Sequence, residues 1–391
     1  MAALSSAVKA SGSPEEIDSL RQQIKLLTER LDKLEEQPIE TVNQSKKFKS
    51  SKAKIEKSIA DRLSFKADFR ERYEIIDQQG KEKRDRNRLR LRAALGMRVN
   101  NDLSFTLGMA TGGDDPVSTN QTLDGGFSTK DIRLDLAYFD YKFNDSLKLT
   151  GGKIKNPLYR PGKNSALWDS DLNPEGFALR FNNNFLQASL VGFAVEERKA
   201  ASDSYMMGGQ VIHGFKMSDT SKLLAGVGYY NYSNLQGNEP LYDGKARGNS
   251  VDVDGSLTND YNIAEFFAEF KTKFVGKSLA VYVNYFKNSA ADDFDTAYTL
   301  GVKFGKVKGA GTWDVGMSYI NNEADSIVGL FNDSDFAGGN TDAKGITLKA
   351  GYGLKKNMAL GLAYINSEIG QSQITPTDYN RLQLDFKLKF K

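Results

Sequence analysis

The chain has 391 residues, with 53 Lys and Arg against 50 Asp and Glu, 36 Gly, 8 Pro and no Cys. A net charge of +3 offers no global attraction for nucleic acid, and the absence of any run of eighteen or more apolar residues excludes a membrane-spanning helix. A mean hydropathy of −0.50 does not exclude a membrane barrel, in which only the outward side of each strand is apolar.

The opening Met1-Ala2-Ala3-Leu4 lacks the basic and apolar regions of a secretory leader, so the chain reads as a mature one with a flexible N-terminus over 1–14. Over 15–37, Ile17, Leu20, Ile24, Leu27, Leu31 and Leu34 recur at alternating three- and four-residue steps, the seam of a short α-helical coiled coil. Ser13 suits the N-cap, Pro14 the first turn, and Pro38 stops the helix. Ile at a with Leu at d suits two strands. Arg30-Leu31-Asp32-Lys33-Leu34-Glu35 instead resembles the Arg-h-x-x-h-Glu pattern of short trimeric coiled coils, which makes Arg30 and Glu35 the trimer-specifying pair. A plain amphipathic helix is the third reading. Residues 38–62, with six lysines between 46 and 57, read as a basic linker that is either a spacer or a contact for anionic lipid or cell wall.

From 63 to 391 the pattern changes to period two. Alternating segments are predicted at 63–76, 87–99, 103–111, 131–143, 147–155, 176–182, 186–197, 204–216, 222–233, 261–274, 278–288, 296–306, 312–322, 344–354, 358–367 and 379–390, each about the length that crosses a bilayer as a tilted strand. In the second, Leu89, Leu91, Ala93, Leu95, Met97 and Val99 share one face and Arg88, Arg90, Arg92 and Arg98 the other. Turn chemistry such as Asn100-Asn101-Asp102 and Lys355-Lys356-Asn357 alternates with long connections near 112–130, 156–175, 234–260, 323–343 and 368–378. The fold class is therefore all-β, a transmembrane antiparallel barrel of about sixteen strands, with short turns on the periplasmic side. An even count puts both barrel ends on that side, and with them the helix. Phe65, Tyr73, Phe143, Tyr230, Tyr285, Phe304, Tyr319, Tyr364 and Phe386 are assigned to the outward aromatic girdles. A phase change between Leu136 and Phe139 calls for a bulge near Ala137.

A barrel of this size leaves a watery lumen. Its inward face carries a basic wall of Arg70, Arg72, Arg88, Arg90, Arg92, Arg133 and Arg381, brought to one side because the last strand closes on the first. Elsewhere small residues point inward, including Gly208, Ala225, Gly351, Gly353, Gly361 and Ala363. The connection from Asn156 to Gly176 is rich in apolar and Pro residues. It is expected to fold into the lumen and set Asp169, Asp171 and Glu175 across from the arginines as constriction acids. A transverse field there would favour hydrated solutes, and excess cation would bias passage to anions. The plainer reading is that these arginines pair with inward acids as scaffolding.

Asp68-Phe-Arg-Glu-Arg-Tyr-Glu74, Arg88-Leu-Arg-Leu-Arg92, Gly152-Lys-Ile-Lys-Asn-Pro157 and Trp168-Asp-Ser-Asp-Leu-Asn-Pro-Glu-Gly176 resemble segments of bacterial outer-membrane porins, in particular the putative-porin group of Gram-negative bacteria. The resemblance implies a homotrimer, an eyelet made by the third loop, and passive diffusion of ions and small hydrophilic solutes. It also implies contact with outer-membrane lipid and lipopolysaccharide. Two alternatives stand beside it: an anion- or phosphate-preferring channel, and a barrel anchoring a coiled coil that tethers peptidoglycan. A soluble β-rich adhesin is a third. No catalytic set, cofactor or metal site is expected. The lone His213 shares a face with Val211 and Phe215, and Gly112–Asp115 and Gly338–Asp342 match no calcium-loop spacing.

Overall fold

The structure, a computed structural model, describes residues 14–35 and 60–390. The expectations for 1–13, for Ser13 and Pro38 and for the linker up to residue 59 lie outside the described residues, as do the side chains of Ile17, Leu34 and Glu35.

Helix α1 spans Pro14–Glu35 and forms a unit separate from the barrel. Its one ion pair among the described residues, Arg21 with Asp18, is solvent-exposed and contributes little. Leu20, Ile24, Leu27 and Leu31 are all more than half exposed, so a single copy of this helix leaves its apolar stripe in water.

The barrel runs β1 (Leu63–Gln78), β2 (Arg84–Arg98), β3 (Leu103–Thr111), the two-residue β4 (Gln121–Thr122), β5 (Ile132–Lys142), β6 (Leu147–Lys153), β7 (Glu175–Asn182), β8 (Leu186–Glu196), β9 (Ser204–Lys216), β10 (Lys222–Tyr232), β11 (Asn262–Phe274), β12 (Lys277–Asn288), β13 (Thr296–Gly305), β14 (Trp313–Asn322), β15 (Ala343–Lys355), β16 (Met358–Ile369) and β17 (Thr377–Phe390). Setting β4 aside leaves sixteen long strands, each antiparallel to its neighbours. β1 pairs with both β2 and β17, from Ala67 opposite Phe390 to Gln78 opposite Tyr379, so the sheet closes. Closure gives every strand two partners, which the hydrocarbon region demands because no water satisfies an open edge.

Alternation sets the two faces. Leu91, Leu95 and Met97 of β2 are exposed on the outside, whereas Arg70, Arg72 and Glu74 of β1 are buried inside. Aromatics gather near the strand ends on the outside. Tyr298 and Tyr319 lie 6.0 Å apart, Phe304 and Trp313 5.7 Å apart, and the Lys277 ammonium stands 4.8 Å from the Trp313 ring. His213 is outward too, against Phe215 at 4.3 Å.

Two details depart from expectation. The bulge in β5 falls at Asp135, between the pairs Gly108–Leu136 and Met109–Leu134, two residues before Ala137. The phase of β10 is the reverse of that predicted. Tyr230 is buried inside, its hydroxyl 2.6 Å from Glu265 Oε2, and Ala225 pairs with the outward His213. Both faces of β10 are apolar because its inner face packs under loops, so alternation carries no sign there.

Those loops fill part of the barrel. Trp168 of the β6–β7 loop, Leu235, Leu241 and Leu257 of the β10–β11 loop, and Ile327, Val328 and Phe336 of the β14–β15 loop share one apolar cluster with Tyr230, Tyr232 and Phe286 of the wall. Trp168 meets Tyr230 edge-on at 5.5 Å and stacks on Phe331 at 6.2 Å. Burying side chains of this size contributes about 2–3 kcal/mol each, enough to hold the loops inside.

Candidate functional site

The wall begins with an electrostatic problem. Register places Arg70 opposite Arg90 and Arg72 opposite Arg88 on one inward face, and like charges directly opposed are destabilising. Acids supply the answer. Asp68 contacts Arg90 and Arg92, each at 3.0 Å. Glu74, fully buried, is shared by Arg86, Arg88 at 3.6 Å and Arg381 at 2.6 Å. Asp385 of β17 binds Arg72 through two bonds of 2.6 and 3.1 Å.

Two loops complete the neutralisation with the same three residues. The β6–β7 loop carries Asp169-Ser170-Asp171 before the buried Leu172, and the β14–β15 loop carries Asp333-Ser334-Asp335 before the buried Phe336. In each, the first Asp accepts the backbone N–H of the second, at 2.7 and 3.0 Å. That turn aims the second carboxylate at the wall. Asp171 meets Arg92 at 2.9 Å and Arg90 at 3.4 Å, with Thr119 Oγ1 donating at 3.0 Å. Asp335 meets Arg381 at 2.8 Å and Arg72 at 3.0 Å.

The loops also hold each other. Ser334 N–H donates to Asp169 Oδ2 at 2.9 Å and Asp169 N–H donates to the Phe331 carbonyl at 2.8 Å. Burial pushes the Asp169 carboxyl well above the ordinary range, aided by Asp333 and Asp171 nearby. Burial works in the same direction on Asp171 and Asp335, but the arginines prevail. Arg90 and Arg92 lower Asp171, and Arg381 and Arg72 hold Asp335 well below its usual value.

Four of the expected wall arginines meet loop acids, and Arg88 meets Glu74. Arg70 bonds Asn120 and forms no ion pair among the described residues. Arg133 does not join them. It shares a register row with Ala110, but its half-exposed side chain reaches Asp131 at 3.4 Å. Glu175 is also misplaced by the sequence reading. It opens β7 on the face of the exposed Phe177 and pairs with Lys153 at 2.8 Å, because one residue of alternation separates it from the inward Gly176 and Ala178. The expected gap between loop acids and arginines is closed: Asp171 sits on the wall. Asp333 and Asp335 went unrecognised, although the apolar run Ser326-Ile-Val-Gly-Leu-Phe331 in a loop is the same signal that marked 156–176.

Below the two loops, toward the short turns, lies a cavity of about 850 Å³. Its lining includes Arg70, Lys163, Lys303, Lys306, Lys349 and Lys389; of its six aspartates, Asp171, Asp335 and Asp385 are engaged with arginines, while Asp169, Asp314 and Asp333 form no ion pair among the described residues. Of these lysines the sequence reading placed only Lys389 on the inward face, with Lys387 beside it on β17. The others come from the β6–β7 loop (Lys163), β13 (Lys303), the β13–β14 turn (Lys306) and β15 (Lys349), separate segments that only the closed barrel brings together.

A protein-family model described as "Putative porin" matches residues 12–269 and 250–390. No curated protein matches the chain. Among solved structures, the barrel is similar to OprB of Pseudomonas putida in its high-pH form, with 12% identity, 84% of this chain and 94% of that chain covered, and a TM-score of 0.57. It is also similar to OmpF of Salmonella typhi in complex with daunomycin, with 13% identity, 83% and 97% coverage and a TM-score of 0.51. These likenesses concern the fold; the family match spans nearly the whole sequence. The chain belongs to the putative-porin family and forms a channel for passive diffusion across the bacterial outer membrane.

Proposed function

We propose that the channel passes small hydrophilic anions in preference to cations, and that three copies assemble through α1 on the periplasmic side. The observation that carries the anion preference is the lining of the 850 Å³ cavity, where eleven Lys and Arg stand against six Asp, three of which are already paired with arginines. A pore whose uncompensated charge is positive concentrates anions and repels cations. The exposed Leu20, Ile24, Leu27 and Leu31 support the assembly, since a stripe this apolar needs a partner helix. β1 starts and β17 ends at the short-turn end, which supports a periplasmic α1.

Reversal potential in a KCl gradient tests the preference. A potential on the chloride side supports it; a value at zero or on the potassium side rejects it. For the assembly, chemical cross-linking of the full chain in outer-membrane vesicles should give a trimer band that weakens when Ile24 and Leu27 become Asp.

A further inference from the structure

The rows that cross the inner wall between β11 and β16 contain one unusual sequence. Following the hydrogen-bonded register from strand to strand, the residues are Lys271, Ala280, Lys303, Gly316, Lys349 and Ala363. A lysine stands on every second strand, and the strand between offers a methyl group or nothing. Neighbouring strands lie about 4.8 Å apart, so successive lysines are rooted about 10 Å apart.

The three lysines are not equivalent. Lys271 is occupied: its ammonium lies 2.8 Å from Tyr159 Oη and 3.1 Å from Glu269 Oε2. Lys303 spends one donor on the Gly162 carbonyl of the β6–β7 loop. Lys349 is exposed and makes no hydrogen bond or ion pair among the described residues. Between Lys303 and Lys349 sits Gly316, where an added Cβ would come within 3.3 Å of Lys303 Cγ. Glycine therefore leaves a notch between the two ammonium stems. Lys163, beside the Gly162 carbonyl that Lys303 binds, reaches the same space from the loop, and all four residues line the cavity. Asp314 lines it too, one row nearer the short turns, with the Val307 N–H 3.4 Å from its carboxylate.

We propose that Lys303 and Lys349, flanking the Gly316 notch and joined by Lys163, form a binding site for multivalent oxyanions on the permeation path. Two ammonium groups on flexible stems rooted about 10 Å apart can close on one tetrahedral anion from both sides. Charge-assisted bonds of this kind favour an anion that offers several oxygens over chloride. The site rests on the anion-preferring reading and gives it a substrate class: phosphate-like and other multiply charged oxygen anions.

The test is KCl current through the full-length channel in a planar bilayer, titrated with inorganic phosphate at pH 7. The expected result is a saturable fall in current. Lys349→Gln and Lys303→Gln should each raise the half-blocking concentration about tenfold, the loss of one charge-assisted contact. Lys271→Gln removes the same charge from the same row and should leave the titration within about twofold. A fall that never saturates, or equal effects of Lys271→Gln and Lys349→Gln, would overturn the site. Reversal potential on the same channels separates the two claims. Anion preference without saturable block removes the site alone, and saturable block without anion preference removes the general reading alone.

Discussion

Ser334 N–H lies 2.9 Å from Asp169 Oδ2, joining two loops whose anchoring residues are 165 positions apart in the chain. Because Asp171 and Asp335 bind different arginine pairs, this bond makes the two loops one body fixed to the wall at two points. The filling of this side of the lumen is then a joint property of both loops. The sequence reading had expected only the 156–176 loop to enter the lumen.

Asp335→Ala tests that dependence. It leaves Arg72 and Arg381 buried beside a missing carboxylate, and breaking a buried pair by removing one partner costs about 3–5 kcal/mol. The expected outcome is a larger and noisier single-channel conductance with the barrel intact by circular dichroism. Conductance equal to that of the parent would separate the β14–β15 loop from the constriction.

The attachments have a pH signature. The carboxyls of Asp335 and Asp171 are depressed by arginines. A depressed carboxylate contributes stability that is complete above its ordinary value, about 3.9, and is lost as pH falls through its lowered value. Asp169 is raised, so its contribution has the opposite sign and weakens as pH rises from the ordinary range through its elevated value. Loop release by acid should therefore appear only below about pH 4. Conductance recorded from pH 7 downward should stay level to that point and then rise; an increase complete by pH 5 would contradict these attachments.

Trp168→Ala removes the ring packed between Tyr230 and Phe331. Truncating a buried Trp costs about 3–5 kcal/mol. That loss falls on the loops, so limited proteolysis of the folded channel should show faster cutting in the β6–β7 loop with little change in the barrel fragment. Unchanged cutting would mean the loop is held by its ion pairs alone.

Arg70→Ser removes an inward cation that forms no ion pair among the described residues, and it should move the KCl reversal potential toward zero. Arg133→Ser, whose side chain pairs with Asp131 instead of lining the cavity, should leave it unchanged. Equal shifts would show that total charge, not position, sets selectivity.

The strands were legible because one-sided solvation writes itself into alternate residues. β3 and β9 coincide in both ends with their predicted ranges, 103–111 and 204–216. β10 was read with its faces exchanged for the opposite reason: Leu224, Tyr230 and Tyr232 pack under loops, so no polar residue marks the inside. Arg72 and Arg90 could be placed on the wall from alternation, but their partners could not. Asp335 is 263 residues from Arg72, and only the folded loop brings it there. Lys303 and Lys349 look unremarkable in sequence and become neighbours through Gly316 on the strand between.

Single-channel recording of the full-length protein in a planar bilayer tests the central claim most directly. The expected result is discrete, ohmic conductance steps in KCl, with three equal closures if three barrels insert together. A bilayer that stays silent with folded barrel inserted would contradict it.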